Sequence, residues 1–197
     1  MTETRRVGID AGGTKCLGVV LDPQGSVVAE HRLPTPKGPD AIIATLAEIA
    51  RTLGPYSSLG VGVPGLVTRD GVLSAAPNLV DIRNFRVGEL LGAELGHEVH
   101  LDNDATCAAA AEWKGGAAAG VDDFVMVTLG TGIGGGIVAN GRLARGANGF
   151  AGEIGHMVVD PDGPFCPCGR RGCWERYASG SGLARLAREA AIGKRLR

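Results

Sequence analysis

Apolar and polar positions first run with the period of strands. Arg5 to Gly12 carries Val7 and Ile9 on one face, and Cys16 to Leu21 follows as a second apolar run. Asp22-Pro-Gln-Gly25 reads as a turn into a third strand, Ser26 to Leu33, so two antiparallel hairpins are expected. The period then changes. Ile42, Ile43, Leu46, Ile49 and Leu53 fall at helical spacing from Asp40 to Leu53, with Asp40 placed as N-cap and Gly54-Pro55 as stop. Leu59 to Val63 reads as a short buried strand, Val87 to Leu95 as a helix, and His97 to Leu101 as a strand ending at Asp102. Asn103 to Lys114 reads as an alanine-rich helix. Phe124 to Leu129 and Gly135 to Ala139 are strands, and Asn140-Gly141 is the strongest hairpin signal in the chain. Ser181 is placed to cap a last amphipathic helix through Ala190. Leu66 to Arg86 is expected to be a long, turn-rich binding loop. The order β-β-β-α-β-α-β-α and then β-β predicts an α/β arrangement with a mixed sheet. Gly115 to Gly120 marks the junction of two units, 1–117 and 118–197.

Composition alters this picture at one point. Glycine supplies 33 of 197 residues, well above the average of about 7%. The glycines cluster between apolar runs without a period, which points to tight loops around a ligand. Aromatics are only 4%, so the core must be aliphatic. A net charge of −1 carries no footprint for nucleic acid or an anionic membrane. No apolar signal region precedes the first strand, and no apolar run is long enough to span a membrane. Five cysteines, an odd number, fit a disulfide framework poorly, so a cytoplasmic protein is expected.

Two glycine loops and one cysteine segment carry the candidate chemistry. Asp10-Ala-Gly-Gly-Thr-Lys15 joins the first two strands. Gly12 and Gly13 would let backbone N–H groups approach an anion, Thr14 adds a hydroxyl and Lys15 a positive charge, and Asp10 could hold Mg²⁺. Gly130, Thr131, Gly132 and Gly134 belong to a second such loop, again followed by a strand and not by the helix of a dinucleotide fingerprint. Two strand–loop–strand units suggest one polyphosphate gripped between two subdomains; the alternative is a pair of ordinary hairpin turns. Asp104 stands where a strand gives way to a helix, and is either a general base toward a hydroxyl or a plain N-cap. Asn78 is either a sugar contact or a turn asparagine. His156, Cys166, Cys168 and Cys173 fall within eighteen residues, a spacing that suits a structural Cys₃His zinc site; the alternative is three buried or free thiols. A closed zinc site would hold Glu153 and Glu175 rigidly enough to read hydroxyls on a polar ligand.

Taken together these segments resemble the ROK family of sugar kinases and sugar-responsive repressors. Asp10 to Lys15, Gly60-Val-Gly-Val-Pro-Gly65, Asn103-Asp-Ala105, Gly130 to Gly136, Gly152-Glu-Ile-Gly-His156 and Cys166-x-Cys168-Gly-x-x-Gly-Cys173-x-Glu175 match that family's motifs in order. Within the family, Pro161-Asp-Gly163 and Cys173 to Ser179 look most like bacterial ATP-dependent glucokinases. The resemblance implies an actin-like ATPase (ribonuclease H-like) fold with two lobes, 1–117 and an incomplete 118–197, and the site in the cleft between them. It implies that Asp104 is the base acting on the 6-hydroxyl of glucose or a related hexose. It implies sugar contacts from Gly65, Asn78, Asn103, Asp104, Glu153, His156 and Glu175, ATP held with Mg²⁺ by the two glycine loops, and structural Zn²⁺ on His156, Cys166, Cys168 and Cys173. A homo-oligomer is expected when full length, with no nucleic-acid or membrane partner. N-acetylmannosamine, N-acetylglucosamine or fructose are alternative sugars, and polyphosphate an alternative donor. Members of that family continue well past Arg197, so the adenine pocket is expected to lie beyond this sequence, leaving weak ATP binding or a non-catalytic sugar- and zinc-binding fragment. A repressor would carry a helix-turn-helix ahead of the first loop, and only nine residues precede Asp10.

Overall fold

A computed structural model describes residues 5–76 and 83–192. In chain order the elements are β1 (Arg6–Ala11), β2 (Lys15–Leu21), β3 (Val27–Pro34), α1 (Pro39–Leu53), β4 (Ser58–Val63), β5 (Leu66–Val67), β6 (Leu73–Ala75) and β7 (Arg83–Phe85). There follow α2 (Val87–Leu95), β8 (Val99–Asn103), α3 (Asp104–Gly115), β9 (Phe124–Leu129), β10 (Ile133–Ala139), β11 (Arg142–Leu143), a 3₁₀ turn (Ile154–His156), α4 (Glu175–Ala178) and α5 (Gly180–Ala191).

The first sheet has the order β3-β2-β1-β4-β8. The hairpins β1–β2–β3 are antiparallel, whereas β4 and β8 add parallel to β1. One face buries Val7, Ile9, Val20, Leu59, Val61 and Val63 against Ile42, Leu46, Ile49 and Leu53 of α1 and Val87 and Leu91 of α2. α1 lies directly on backbone: a Cβ at Gly18 would collide with the side chains of Ile49 and Leu53. Alternation along β1 and β4 thus sends every second residue into an aliphatic core.

Register decides what gathers at the end of the parallel strands. Asp10 of β1 pairs with Gly62 of β4, and Gly62 with Asp102 of β8. In-register residues share a face, so Asp10 and Asp102 flank a position without a side chain. That face borders a cavity of about 1150 Å³ whose walls include Asp10, Gly62, Asp104, Thr128 and Arg145.

The second sheet, β11-β10-β9, is another antiparallel meander entered through a glycine loop. α3 lies between the two sheets. A Cβ at Gly62 would stand 3.5 Å from the Asp104 Cα, and one at Gly136 would run into the Ala109 methyl. Glycine on one side and alanine on the other set this close approach.

Three expectations need correction. Leu66 to Arg86 is not wholly loop: β5, β6 and β7 form a small antiparallel sheet, because Leu73 and Val67 find an apolar base to bury. Asp40 does not cap α1; Gly38 is the N-cap, Pro39 opens the helix, and Asp40 sits in the first turn, where the helix dipole favours a carboxylate. Ser181 does not cap α5. Ser179 does, its Oγ accepting from the Gly182 N–H at 3.0 Å, since it is the serine buried at the α4–α5 corner.

Candidate functional site

Asn103 takes the capping role that the sequence left open for Asp104. Asn103 is the N-cap of α3: its Oδ1 accepts from the Thr106 N–H at 2.9 Å, and its Nδ2 donates to the Gly65 carbonyl at 3.1 Å. Gly65 meets it at φ +112, with the Ala75 carbonyl so close that a Cβ would not fit. Asp104 is therefore released from capping. Its Oδ1 accepts from the Ala105 N–H at 2.8 Å. Burial pushes its carboxyl above the ordinary aspartate range against that hydrogen bond, and the nearby Asp10 pushes it further. Asp10 is itself raised by burial, with Lys15 acting the other way.

Both glycine loops are anchored by their surroundings. In the first, the Gly12 carbonyl accepts from the Thr35 hydroxyl and the Thr14 carbonyl accepts from the Thr35 N–H at 3.1 Å. A Cβ at Gly12 would lie 2.9 Å from the Lys15 carbonyl. Gly13 completes that turn between β1 and β2. In the second, the Gly130 carbonyl accepts from the Gly180 N–H at 2.8 Å and the Thr131 carbonyl from the Ser181 N–H at 3.3 Å, so the start of α5 docks on the loop. Thr128 Oγ1 accepts from the Gly134 N–H at 3.1 Å. Glu175 Oε2 accepts from the Ile133 N–H at 2.8 Å, and a Cβ at Gly132 would stand 2.5 Å from that oxygen. Glu175, expected as a sugar contact, thus also braces the second loop. The sequence reading missed Thr35, Thr128 and Ser179, since hydroxyls bonding distant backbone leave no local pattern.

The segment between β11 and α4 carries the cysteines. Cys166 to Gly169 closes a tight turn, with the Gly169 N–H donating to the Cys166 carbonyl at 2.9 Å. Gly169 and Gly172 adopt φ +90 and +63, which lets the chain return on itself. Cys166 Sγ lies 3.6 Å from His156 Nδ1, Cys168 Sγ lies 3.6 Å from Cys173 Sγ, and all four ligand atoms fall within 4.8 Å of one another. A tetrahedron with Zn–S of about 2.3 Å has edges of roughly 3.8 Å, so the four donors fit zinc with little movement. Burial, reinforced by the other two thiols, pushes Cys173 up to about 12. Burial raises Cys166 as well, whereas, against burial, hydrogen bonds from the Arg170 backbone and the neighbouring thiols lower Cys168. Three thiolates this close repel one another, and a divalent cation is the charge that would hold them together. The other ring nitrogen, His156 Nε2, stands 3.8 Å from Glu153 Oε2. Burial raises the Glu153 carboxyl; His156 opposes this, and Asp104 and Glu175 add to it. Glu153 and His156 thus form one polar pair, and Asp104 and Glu175 lie near enough to bear on the Glu153 charge. Asn78 lies outside the described residues.

The arrangement sets the second loop and the strand after it beside both segments: a Cβ at Gly134 would meet Ala105, next to Asp104, and one at Gly135 would meet Ile154, next to Glu153. It is suited to hold a polyol and an anion side by side.

Comparison with known proteins agrees. The ROK family profile matches residues 6–195. A glucokinase of Streptomyces coelicolor is 42% identical over 189 residues, 94% of this chain and 59% of the relative. The crystal structure of a ROK family glucokinase from Streptomyces griseus in complex with glucose and AMPPNP superposes with a TM-score of 0.86 at 36% identity, covering 96% of this chain and 62% of that one. The ROK hexokinase of Thermus thermophilus superposes with a TM-score of 0.84 at 38% identity, covering 96% and 65%. The chain thus spans about three-fifths of the length of the curated glucokinases it matches. Its fold is that of the actin-like ATPases, of which it covers a part. On the motif order, the matched span and the superposition, this chain belongs to the ROK family.

Proposed function

We propose that the chain carries the sugar site and phosphate loops of an ATP-dependent hexokinase-type phosphotransferase that acts on the 6-hydroxyl of glucose. One observation supports this most: Asn103 takes the cap and leaves Asp104 a half-buried, proton-seeking carboxylate near Asp10 and Glu153. In this reading Asn103, Glu153, His156, Glu175, the Gly65 backbone and Asn78 hold the ring hydroxyls. Asp104 accepts the proton of the 6-hydroxyl as its oxygen attacks, and its raised affinity for protons suits that task. N–H groups of Gly12, Gly13, Gly130, Thr131, Gly132 and Gly134, with Thr14 and Lys15, cradle the phosphates. Mg²⁺ bound with ATP would neutralise phosphate charge, and the Asp10 carboxylate is the hard oxygen donor at hand for it. Zn²⁺ on His156, Cys166, Cys168 and Cys173 would be structural, fixing the imidazole so that Nε2 faces the sugar. The two lobes of this reading are 1–117 and 118–197, and the setting is cytoplasmic, with a homo-oligomer expected when full length. Among the described residues no helix is long and apolar enough to cross a membrane.

The test is a coupled assay for glucose 6-phosphate, run beside calorimetry for glucose. From the unaltered chain the expected outcome is glucose binding with slow, ATP-dependent product, in keeping with the weak ATP binding expected from its sequence. Asp104→Asn should lower kcat by about 10²–10⁴ while glucose affinity changes little, because the amide hydrogen-bonds but takes no proton. Equal turnover in the two proteins would reject Asp104 as base. Glucose binding with no product would leave a sugar-binding unit, and N-acetylmannosamine, N-acetylglucosamine, fructose and polyphosphate complete the substrate panel.

A further inference from the structure

One ion pair spans the cleft beside the base and belongs to none of the roles above. Arg145, in the loop after β11, donates from Nε (3.1 Å) and Nη2 (2.7 Å) to the same oxygen, Oδ2, of Asp102 at the end of β8. Asp102 Oδ1 accepts from the Asn103 N–H at 2.9 Å. One carboxylate therefore joins the cap of α3 to a loop of the other sheet. The Arg145 loop leads straight to the sugar segment: its carbonyl accepts from the Ala151 N–H at 3.1 Å, and the Gly152 carbonyl accepts from the Ile154 N–H at 2.7 Å. A second clasp lies alongside, where Arg69 Nε donates to the Gly146 carbonyl at 2.9 Å.

We propose that Arg145 and Asp102 are positioning residues: their ion pair ties the α3 end that bears Asp104 to the loop that delivers Glu153 and His156, and so sets the span between base and sugar contacts. The assignment of a sugar to that span rests on the proposed function; the tether itself does not. Stability alone is a poor reason for the pair. Side-chain exposures of 45% for Arg145 and 21% for Asp102 place it where ion pairs add little to folding. Charge-assisted bonds from a planar fork do fix orientation, and orientation is what a proton transfer across a cleft needs. Without the tether, bound sugar must itself hold the two sides together, and its apparent affinity falls by the fraction of molecules already in register.

The experiment compares the unaltered chain with Arg145→Ala, Arg145→Lys, Asp102→Asn and the Ala/Asn double variant. Hydrogen exchange is followed at the Ala105–Thr106 and Ile154–His156 amides, with glucose affinity measured by calorimetry. Arg145→Ala is expected to speed exchange in both segments and weaken glucose by about ten-fold, with the unfolding midpoint nearly unchanged. Asp102→Asn should match it, and the double variant should be no worse than either single one. Arg145→Lys, which keeps the charge and loses the fork, should recover part of both effects. Exchange that rises in only one segment, or single effects that add in the double variant, overturns the tether. An unaltered chain that takes up no glucose rejects the functional reading instead, and the exchange measurements then decide the tether alone.

Discussion

Asp104 has a cost to folding that its proposed role explains. Its carboxyl prefers the protonated state in the folded chain more than in the unfolded one, because burial and Asp10 both disfavour charge there. The sign follows from linkage. Below the ordinary aspartate range both states are protonated and the full stability is present; as pH rises through the raised folded value, stability is lost. Asparagine does not ionise and can keep the bond from the Ala105 N–H. Asp104→Asn is therefore expected to unfold a few degrees higher than the unaltered chain at pH 7, with the gap closing toward pH 3 to 4, as read by thermal denaturation across pH. A gap that persists at low pH would assign the effect to packing. For the base itself the direction is opposite: turnover should fall as pH drops through the raised value, earlier than for an ordinary carboxylate. The local sequence favoured Asp104 as a cap, and the resemblance to the ROK motifs pointed to a base. The choice came from Asn103, whose side chain reaches Thr106 and Gly65 at once.

At the scale of elements, the cysteine segment and its neighbours behave as one brace. Cys173 pairs with Val158 in a short bridge and leads directly into α4, whose first residue, Glu175, holds the second glycine loop through the Ile133 N–H. The start of α5 then bonds the same loop. The cysteine cluster, loop and helix are thus linked within a few bonds. Cys168→Ser is expected to lose bound zinc, about one ion per chain, and to raise hydrogen exchange from Met157 through Glu175 and in the Gly130–Gly134 loop. Elemental analysis and exchange measured on one preparation check this, and unchanged metal content would end the zinc assignment. Much of the brace was legible beforehand, since its four donors lie within eighteen residues and its turns are glycines. The link to Ile133 was not, because it joins residues 42 positions apart.

At the scale of the whole molecule, two glycine-loop meanders face each other across α3, and the outer one is open on one side. β9 is the edge of its sheet among the described residues, and Val125, Val127 and Leu129 are 59%, 40% and 67% exposed along it. An apolar stripe on an open strand edge promotes association. The isolated chain is expected to sediment as larger species with rising concentration, and Val125→Lys with Leu129→Lys to suppress this. Sedimentation velocity on both proteins checks it, and identical behaviour would place the sticky surface elsewhere.

What the sequence by itself determined is what short windows of chain encode. The hairpins β1–β2–β3 follow from alternation, α1 from its helical period at Ile42 to Leu53, and the two glycine loops from glycines between strands. The metal cluster follows from ligand spacing. Only the tertiary structure decided the rest. It placed β5, β6 and β7 as a small sheet within Leu66 to Arg86, gave the α5 cap to Ser179, and put Asp104 and Glu175 near enough to Glu153 to raise its carboxyl. It also brought Arg145 to Asp102, 43 positions away. The reason is physical: period and turn chemistry are properties of neighbouring residues, whereas the partner of a buried carboxylate or hydroxyl is whichever donor the packed sheets bring within 3 Å, and no local pattern records it.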